Sequence, residues 1–125
     1  KPQHINQELA RYELHRVWVV DSVLKPGTDH VYKRRTLYVD EDSWQILAVD
    51  CYDKRDQLWR VQEGHAMQYY AVPTLWTTLE LIMDLQNRRY LALGLQNEEP
   101  GSYDFTIKRT VADFQPSVLR ARGTR

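Results

Sequence analysis

Six short extended segments, separated by turn sequences, constrain the fold of this chain most strongly. Each segment is rich in β-branched and aromatic residues, which is typical of strands. The segments are residues 12–24, 30–39, 44–52, 57–72, 75–85 and 90–95. Pro, Gly and charged residues mark the turns between them, as in residues 25–29 and 53–56. No helical pattern of about 10–15 residues lies between the segments, which argues against parallel βαβ units. We therefore predict a mainly β fold, an antiparallel meander of six or seven strands.

The last third of the chain extends this prediction. Residues 104–110 fit one more short strand, and Pro116 is placed to begin a short C-terminal helix. The length of 125 residues fits one domain, so we predict that residues 1–125 form a single β-rich domain. The chain has no initial Met and starts abruptly in polar residues. We expect it to be a fragment or a processed product of a longer protein.

Apolar residues occur on both faces of the predicted strands. Successive strand residues point to opposite faces, and a solvated antiparallel sheet is polar on one of them. In residues 12–24, Trp18 and Val20 fall on one face and Val19 falls on the other. In residues 44–52, Ile46 and Val49 divide in the same way. Both faces therefore need cover, which a missing part of the protein, a second chain or an apolar ligand would provide.

The composition excludes some classes of function. Lys plus Arg and Asp plus Glu both number 17, so the net charge gives no footprint for nucleic acid or an anionic membrane surface. No apolar run approaches the roughly 18 residues of a membrane span. A single cysteine, Cys51, excludes an internal disulfide. Eight Tyr and four Trp against two Phe suit half-wet surfaces and ligand-facing walls, although strands favour these residues too.

An acidic cluster, Asp40 to Asp42 followed by Ser43 and Trp44, interrupts two apolar segments. It lacks the length and the glycine of a calcium loop. Asp and Ser favour turns because their side chains bond to the nearby backbone. We predict a hairpin tip here, with Trp44 beginning the next strand.

No catalytic motif stands out. The histidines, His4, His15, His30 and His65, have no metal-ligand spacing, and neither a GxSxG elbow nor a glycine-rich phosphate loop is present. We therefore expect no enzyme activity, no cofactor and no metal. A hydrolase that uses His65 with Glu63 is a lesser alternative.

Three stretches, residues 11–27, 30–61 and 113–123, resemble the C-terminal part of a bacterial family of unknown function labelled outer-membrane-lipoprotein-sorting-like. The most specific part runs from Tyr38 to Arg60, and it departs from the family pattern at Asp56, where a glycine is expected. The resemblance implies a fold similar to the lipoprotein carriers LolA and LolB, a curved half-barrel that holds acyl chains. It also implies a longer protein with a signal peptide, located in the periplasm or associated with the outer membrane. No catalytic residue is established for the family.

Pattern and resemblance together predict a periplasmic carrier or chaperone-like protein for a lipid, a lipoprotein acyl chain or another hydrophobic compound. The expected partners are that ligand, the missing N-terminal part of the protein and an outer-membrane barrel. The alternative is an interaction module that docks to such a barrel or self-associates. Size and alternation select the candidate ligand-wall residues, Trp18, Tyr38, Trp44, Trp59, Leu79, Leu81 and Met83.

Overall fold

The computed structural model describes residues 4–96, 99–101 and 103–123, and six strands account for most of its regular structure. The strands are β1 (Val17–Val23), β2 (Arg34–Asp40), β3 (Ile46–Tyr52), β4 (Leu58–Tyr69), β5 (Thr74–Asp84) and β6 (Arg89–Leu93). A short 3₁₀ helix, Val111–Phe114, precedes the helix α1, Pro116–Gly123. Within the described ranges, no helix has the length and apolar character needed to cross a membrane.

The strands form one open sheet in the order β1-β2-β3-β4-β5-β6, and every neighbouring pair is antiparallel. Each strand thus pairs with the next one in the chain, as short connections favour. The predicted mainly β meander with a short C-terminal helix is confirmed, and α1 begins at Pro116 as expected.

The predicted seventh strand at residues 104–110 is wrong. Both the backbone amide and the hydroxyl of Thr106 donate hydrogen bonds to Asp104 Oδ1, at 2.9 and 2.6 Å. This local bonding makes a turn, because the aspartate side chain offers the backbone an alternative to strand pairing.

The tip between β2 and β3 is the predicted hairpin turn. The backbone amide of Asp40 donates to the carbonyl of Gln45 at 2.9 Å, and the amide of Trp44 donates to the carbonyl of Asp40 at 3.0 Å. Trp44 does not begin the next strand, however. Its φ of 59° is left-handed, so it closes the turn, and β3 starts at Ile46.

The tip between β3 and β4 explains the departure at Asp56. This residue has a φ of 66°, a region that glycine enters freely and that aspartate tolerates better than most residues. The turn therefore has a backbone conformation that the expected glycine would adopt without strain. Asp56 adds an ion pair with Arg34, whose Nε lies 2.7 Å from Oδ1.

Little of the apolar surface is buried. Among the apolar residues that the structure describes, only Val49, Cys51 and Leu81 are buried. Trp18 and Val19, which are neighbours in β1, remain 53% and 61% exposed. Because neighbours in a strand point to opposite faces, both faces of the sheet expose large apolar groups.

Candidate functional site

The strand register arranges side chains in rows that cross the whole sheet. Residues that are paired across antiparallel strands lie on the same face. We call the two faces the Val49 face and the Leu81 face, after their buried central residues. The central row of the Leu81 face consists of Val19, Tyr38, Ala48, Glu63, Leu81 and Ala92. The central row of the Val49 face consists of Val20, Leu37, Val49, Gln62, Ile82 and Leu91.

The central row of the Val49 face, here called the aliphatic row, is apolar at every position except Gln62. It crosses six strands, which corresponds to about 24 Å at the usual strand spacing. Val49 is 8% exposed at its centre, whereas Val20 and Leu91 at its two ends are 46% and 52% exposed. The aliphatic row is therefore an elongated apolar surface with open ends.

A charged row lies directly beside it on the same face, two residues further along each strand. This arginine row consists of Ser22, Arg35, Cys51, Arg60, Asp84 and Arg89. Arg60 is held in place, because its Nε lies 3.3 Å from Asp84 Oδ2 and its Nη1 donates to the hydroxyl of Tyr32 at 2.9 Å. Its guanidinium also lies 4.1 Å from the ring centre of Trp59.

Cys51 belongs to the arginine row, but it has no exposed surface. Burial raises the pKa of its thiol, while the nearby guanidinium groups of Arg35 and Arg60 oppose that rise. A buried thiol with a raised pKa is a poor nucleophile. Both arginines pair with Cys51 in the strand register.

The Leu81 face is more polar. Tyr38 donates its hydroxyl to Asp50 at 2.9 Å, and Thr36 donates to Asp21 at 2.7 Å. The hydrogen bond to Asp50 raises the pKa of Tyr38, with desolvation acting in the same direction. These side chains satisfy one another, which reduces what they can offer to a ligand.

Glu63 and His65 also meet on the Leu81 face. His65 Nε2 lies 3.0 Å from Glu63 Oε2, and the hydroxyl of Tyr12 donates to the same oxygen at 3.3 Å. The ring of Tyr12 packs edge-on against His65, with centroids 5.6 Å apart. Desolvation and the Glu63 carboxylate raise the pKa of Tyr12. The contact between Tyr12 and β4 also accounts for the late start of β1, because the chain before Val17 crosses the sheet instead of pairing.

Only four of the seven predicted wall residues lie together on one face. Tyr38, Leu79, Leu81 and Met83 share the Leu81 face, where Tyr38 and Leu81 belong to one row. Leu81 has no exposed surface and forms part of the core. Trp18 lies on the opposite face, and Trp44 is 71% exposed at the hairpin tip. Trp59 lies at the start of β4, and its Nε1 donates a hydrogen bond to Asp84 at 3.1 Å.

Two shallow depressions mark the surface. One, of about 320 Å³, lies beside Trp59 and the β3–β4 tip, and is lined by Val31, Asp53, Lys54, Arg55, Trp59 and Gln86. The other, of about 260 Å³, includes Trp76, Glu80, Gly94 and Tyr103. Neither depression contains His65 or Glu63. In the part of the chain that the structure describes, no three His, Cys, Asp or Glu side chains group as a metal site would require.

The selection of wall residues by size missed the aliphatic row. Val20 and Val49 are visible as apolar strand residues in the sequence. Their alignment with Leu37, Ile82 and Leu91 depends on the register of five strand pairs. Three of those pairs contain register shifts, next to Val39, Tyr52 and Ala66. Such bulges leave no clear signal in a single sequence.

Comparison with known proteins gives relatives and a shared fold. An uncharacterized protein of Pseudomonas aeruginosa is 51% identical over all 125 residues, which cover 28% of its length. The crystal structure of a DUF1329 family protein from Desulfovibrio piger is similar with a TM-score of 0.50 at 18% identity. That similarity covers 82% of this chain and 40% of the other, and it shows the fold alone.

A domain from Vibrio parahaemolyticus, named for outer membrane lipoprotein sorting, gives a TM-score of 0.49 at 16% identity, over 61% of this chain and 32% of the other. The chain thus spans less than half the length of each of these three proteins. Residues 1–120 match the family described as "Protein of unknown function (DUF1329)". The family resemblance drawn from the sequence is confirmed, and the chain belongs to the DUF1329 family.

Proposed function

We propose that this chain is part of a periplasmic carrier that holds a hydrophobic compound, such as a lipid or a lipoprotein acyl chain, against the Val49 face. The observation that carries the proposal is the aliphatic row, which crosses all six strands and stays open at Val20 and Leu91. Exposed apolar patches on a protein surface often mark a binding site for a partner or a ligand.

The action of such a carrier is physical, with no bond made or broken. Each methylene group that moves from water onto the aliphatic row gains about 0.8 kcal/mol. The row spans about 24 Å across the strands, so one extended chain can contact several strands at once. Release requires only an acceptor that offers the ligand a comparable apolar surface.

The location and the partners belong to the same proposal. The family resemblance supports a protein of the periplasm or the outer membrane, with an outer-membrane barrel as a partner. The remainder of the full-length protein would close the opposite, Leu81 face, where Tyr12 already contacts Glu63 and His65.

The test uses the full-length protein with the two open ends of the row made polar, as Val20→Asn with Leu91→Asn. Both side chains are about half exposed, so the change removes ligand contacts with little disturbance of the core. We expect binding of an uncharged probe, oleyl alcohol, to weaken by about tenfold. Titration calorimetry with matched thermal unfolding curves measures both effects.

The matched control is Val19→Asn. Val19 adjoins Val20 in β1 but lies on the opposite face, and it is 61% exposed. The control should bind the probe as the wild type does. Equal affinities for all three proteins, or an equal loss in the control, would exclude the aliphatic row as the binding surface.

A non-enzymatic interaction module is the second candidate. The strand β1 is an edge of the sheet, and Trp18, Val19 and Val23 on it are more than half exposed. Edges of this kind pair readily with another chain. A stable dimer of the full-length protein that covers the Val49 face, measured by light scattering and cross-linking, would favour this candidate.

A hydrolase is the less favoured reading. His65 and Glu63 do touch, as a general base and its orienting group would. Their neighbours include Tyr12 and the apolar residues Leu79 and Leu81 of β5, which pair with them in the sheet. If a strain that carries the His65→Gln substitution keeps the wild-type phenotype, the hydrolase hypothesis is excluded.

A further inference from the structure

The Val49 face changes from charged to apolar across neighbouring rows. Arg35 stands beside Leu37 in β2, and Cys51 stands beside Val49 in β3. On the other side of the aliphatic row lie Trp18, Val39 and Leu93, together with Glu80, which pairs with Leu93. A molecule lying on this face would meet guanidinium groups along one flank, and apolar groups with one carboxylate along the other.

The arginine row carries an excess of positive charge. It contains three arginines and one aspartate, in a chain whose net charge is zero. Asp84 is engaged by Arg60 and by the indole of Trp59. Arg35 forms no ion pair with any other residue that the structure describes, and its side chain is exposed. Its charge is thus available to a ligand.

Arg35 and Arg60 flank the same buried residue. The register pairs Arg35 with Cys51 and Cys51 with Arg60, so the two arginines stand on either side of it. Two strand spacings separate their backbones, about 10 Å, which two long side chains can bridge. Hydrogen bonds to Tyr32 and Asp84 fix the position of Arg60, while Arg35 is exposed.

We propose that this face takes an amphiphile with an anionic head group, as in a fatty-acid carboxylate, with the head between Arg35 and Arg60 and the tail on the aliphatic row. The inference rests on the proposed carrier function and names the class of its ligand. A guanidinium fork matches the two oxygens of a carboxylate and binds it through charge-assisted hydrogen bonds.

The same geometry disfavours a neutral ligand. A tail laid over Leu37 removes water from the neighbouring guanidinium of Arg35. An alcohol head group leaves that charge poorly compensated, and a partly buried charge without a counter-ion costs free energy. Selectivity thus arises both from attraction to the anion and from the penalty that a neutral head group incurs.

The experiment compares two probes with one tail, oleate and oleyl alcohol, on the full-length protein at a pH where oleate is ionised. We expect the wild type to bind oleate at least about tenfold more tightly than oleyl alcohol. The variant Arg35→Gln should lose most of that difference by weakening oleate alone. Arg35→Lys, which keeps the charge without the fork, should fall between them.

Arg88→Gln is the matched control. Arg88 adjoins the arginine row in sequence but lies in the β5–β6 turn with a φ of 54°, outside the strands. The Arg88→Gln variant should bind oleate and oleyl alcohol with unchanged affinities. Thermal unfolding should show that every variant is folded. An equal loss in Arg88→Gln would mean general attraction of anions and would overturn the assignment.

The outcomes separate this inference from the function on which it rests. Equal affinity for oleate and oleyl alcohol, with no effect of Arg35→Gln, overturns the anionic site and leaves a carrier of neutral compounds. Failure of the wild type to bind either probe overturns the carrier function and the head-group site with it.

Discussion

Asp40 shows how a single carboxylate fixes the β2–β3 hairpin. The residue is 3% exposed, and its side chain accepts hydrogen bonds from the Ser43 hydroxyl at 2.6 Å and the Ser43 amide at 2.9 Å. His15 Nδ1 lies 3.0 Å from its other oxygen. These donors, the Ser43 hydroxyl first, lower the pKa of Asp40 against the opposing effect of desolvation. The acidic cluster is therefore a turn with a structural carboxylate.

The lowered pKa of Asp40 makes a prediction about acid stability. A carboxyl group whose pKa is lower in the folded state stabilises the fold above its unfolded pKa and loses that contribution as pH falls through the folded pKa. We expect Ser43→Ala to remove the main donor, raise the pKa of Asp40 and destabilise the protein by about 1 kcal/mol at neutral pH.

Urea unfolding of wild type and Ser43→Ala across the acid range measures this effect. The gap between the two proteins should begin to narrow as pH falls below the ordinary aspartate pKa, and it should close below the lowered pKa of Asp40, where the carboxyl group is protonated in both folded proteins. Repeating the substitution in an Asp40→Asn background should also shrink the gap. A gap that stays constant with pH in both backgrounds would show that the hydrogen bonds to the ionised carboxylate contribute little.

For the strands and the helix, the sequence predicts that each element exists, and in what order, better than it predicts where each one begins and ends. All six strands and α1 occur where apolar periodicity and turn residues placed them. The predicted 12–24 strand shortens to Val17–Val23, since Tyr12 is drawn to Glu63, a contact 51 residues away in sequence. Asp104 turns the chain where a seventh strand was expected. Local patterns cannot reveal such competing contacts.

The candidate site was less predictable than the fold for a related reason. Alternation assigns a residue to one of two faces within its own strand, so Leu79, Leu81 and Met83 were correctly grouped. Rows across strands depend on register, and a shift of one residue moves a whole strand to the other face. Trp18 and Tyr38 were thus placed in one wall, although they lie on opposite faces.

At the β5–β6 end of the sheet, the backbone at Gly94 passes close to the backbone of Thr78. This residue has a φ of 84°, and a Cβ atom there would lie 2.4 Å from the carbonyl oxygen of Thr78. We expect Gly94→Ala to destabilise the protein by about 1–3 kcal/mol, because β6 would have to shift away from β5. Chemical denaturation of the full-length protein measures the loss.

Gly101→Ala is the control for that substitution. A Cβ atom on Gly101 meets no atom within 4 Å, so the change should leave stability within about 0.5 kcal/mol of the wild type. Similar stabilities for both alanine variants would show that the backbones at Gly94 and Thr78 do not approach each other this closely in solution.

For the whole molecule, the main feature is a single-layer sheet with too little chain to cover it. Among the described apolar residues only Val49, Cys51 and Leu81 are buried, and both faces expose large side chains. The chain covers 28% of the length of its Pseudomonas aeruginosa relative. In the carrier that we propose, further parts of a longer protein would cover one face. The aliphatic row then remains for a ligand on the other.

Native mass spectrometry of the full-length protein, gently purified from its native cells and followed by lipid extraction, would show whether the protein carries an acyl ligand. We expect a bound acyl species of defined mass, with an anionic head group, whose occupancy falls in the Val20→Asn, Leu91→Asn variant. A ligand-free protein that instead co-purifies with an outer-membrane barrel, and whose variant behaves identically, would contradict this expectation.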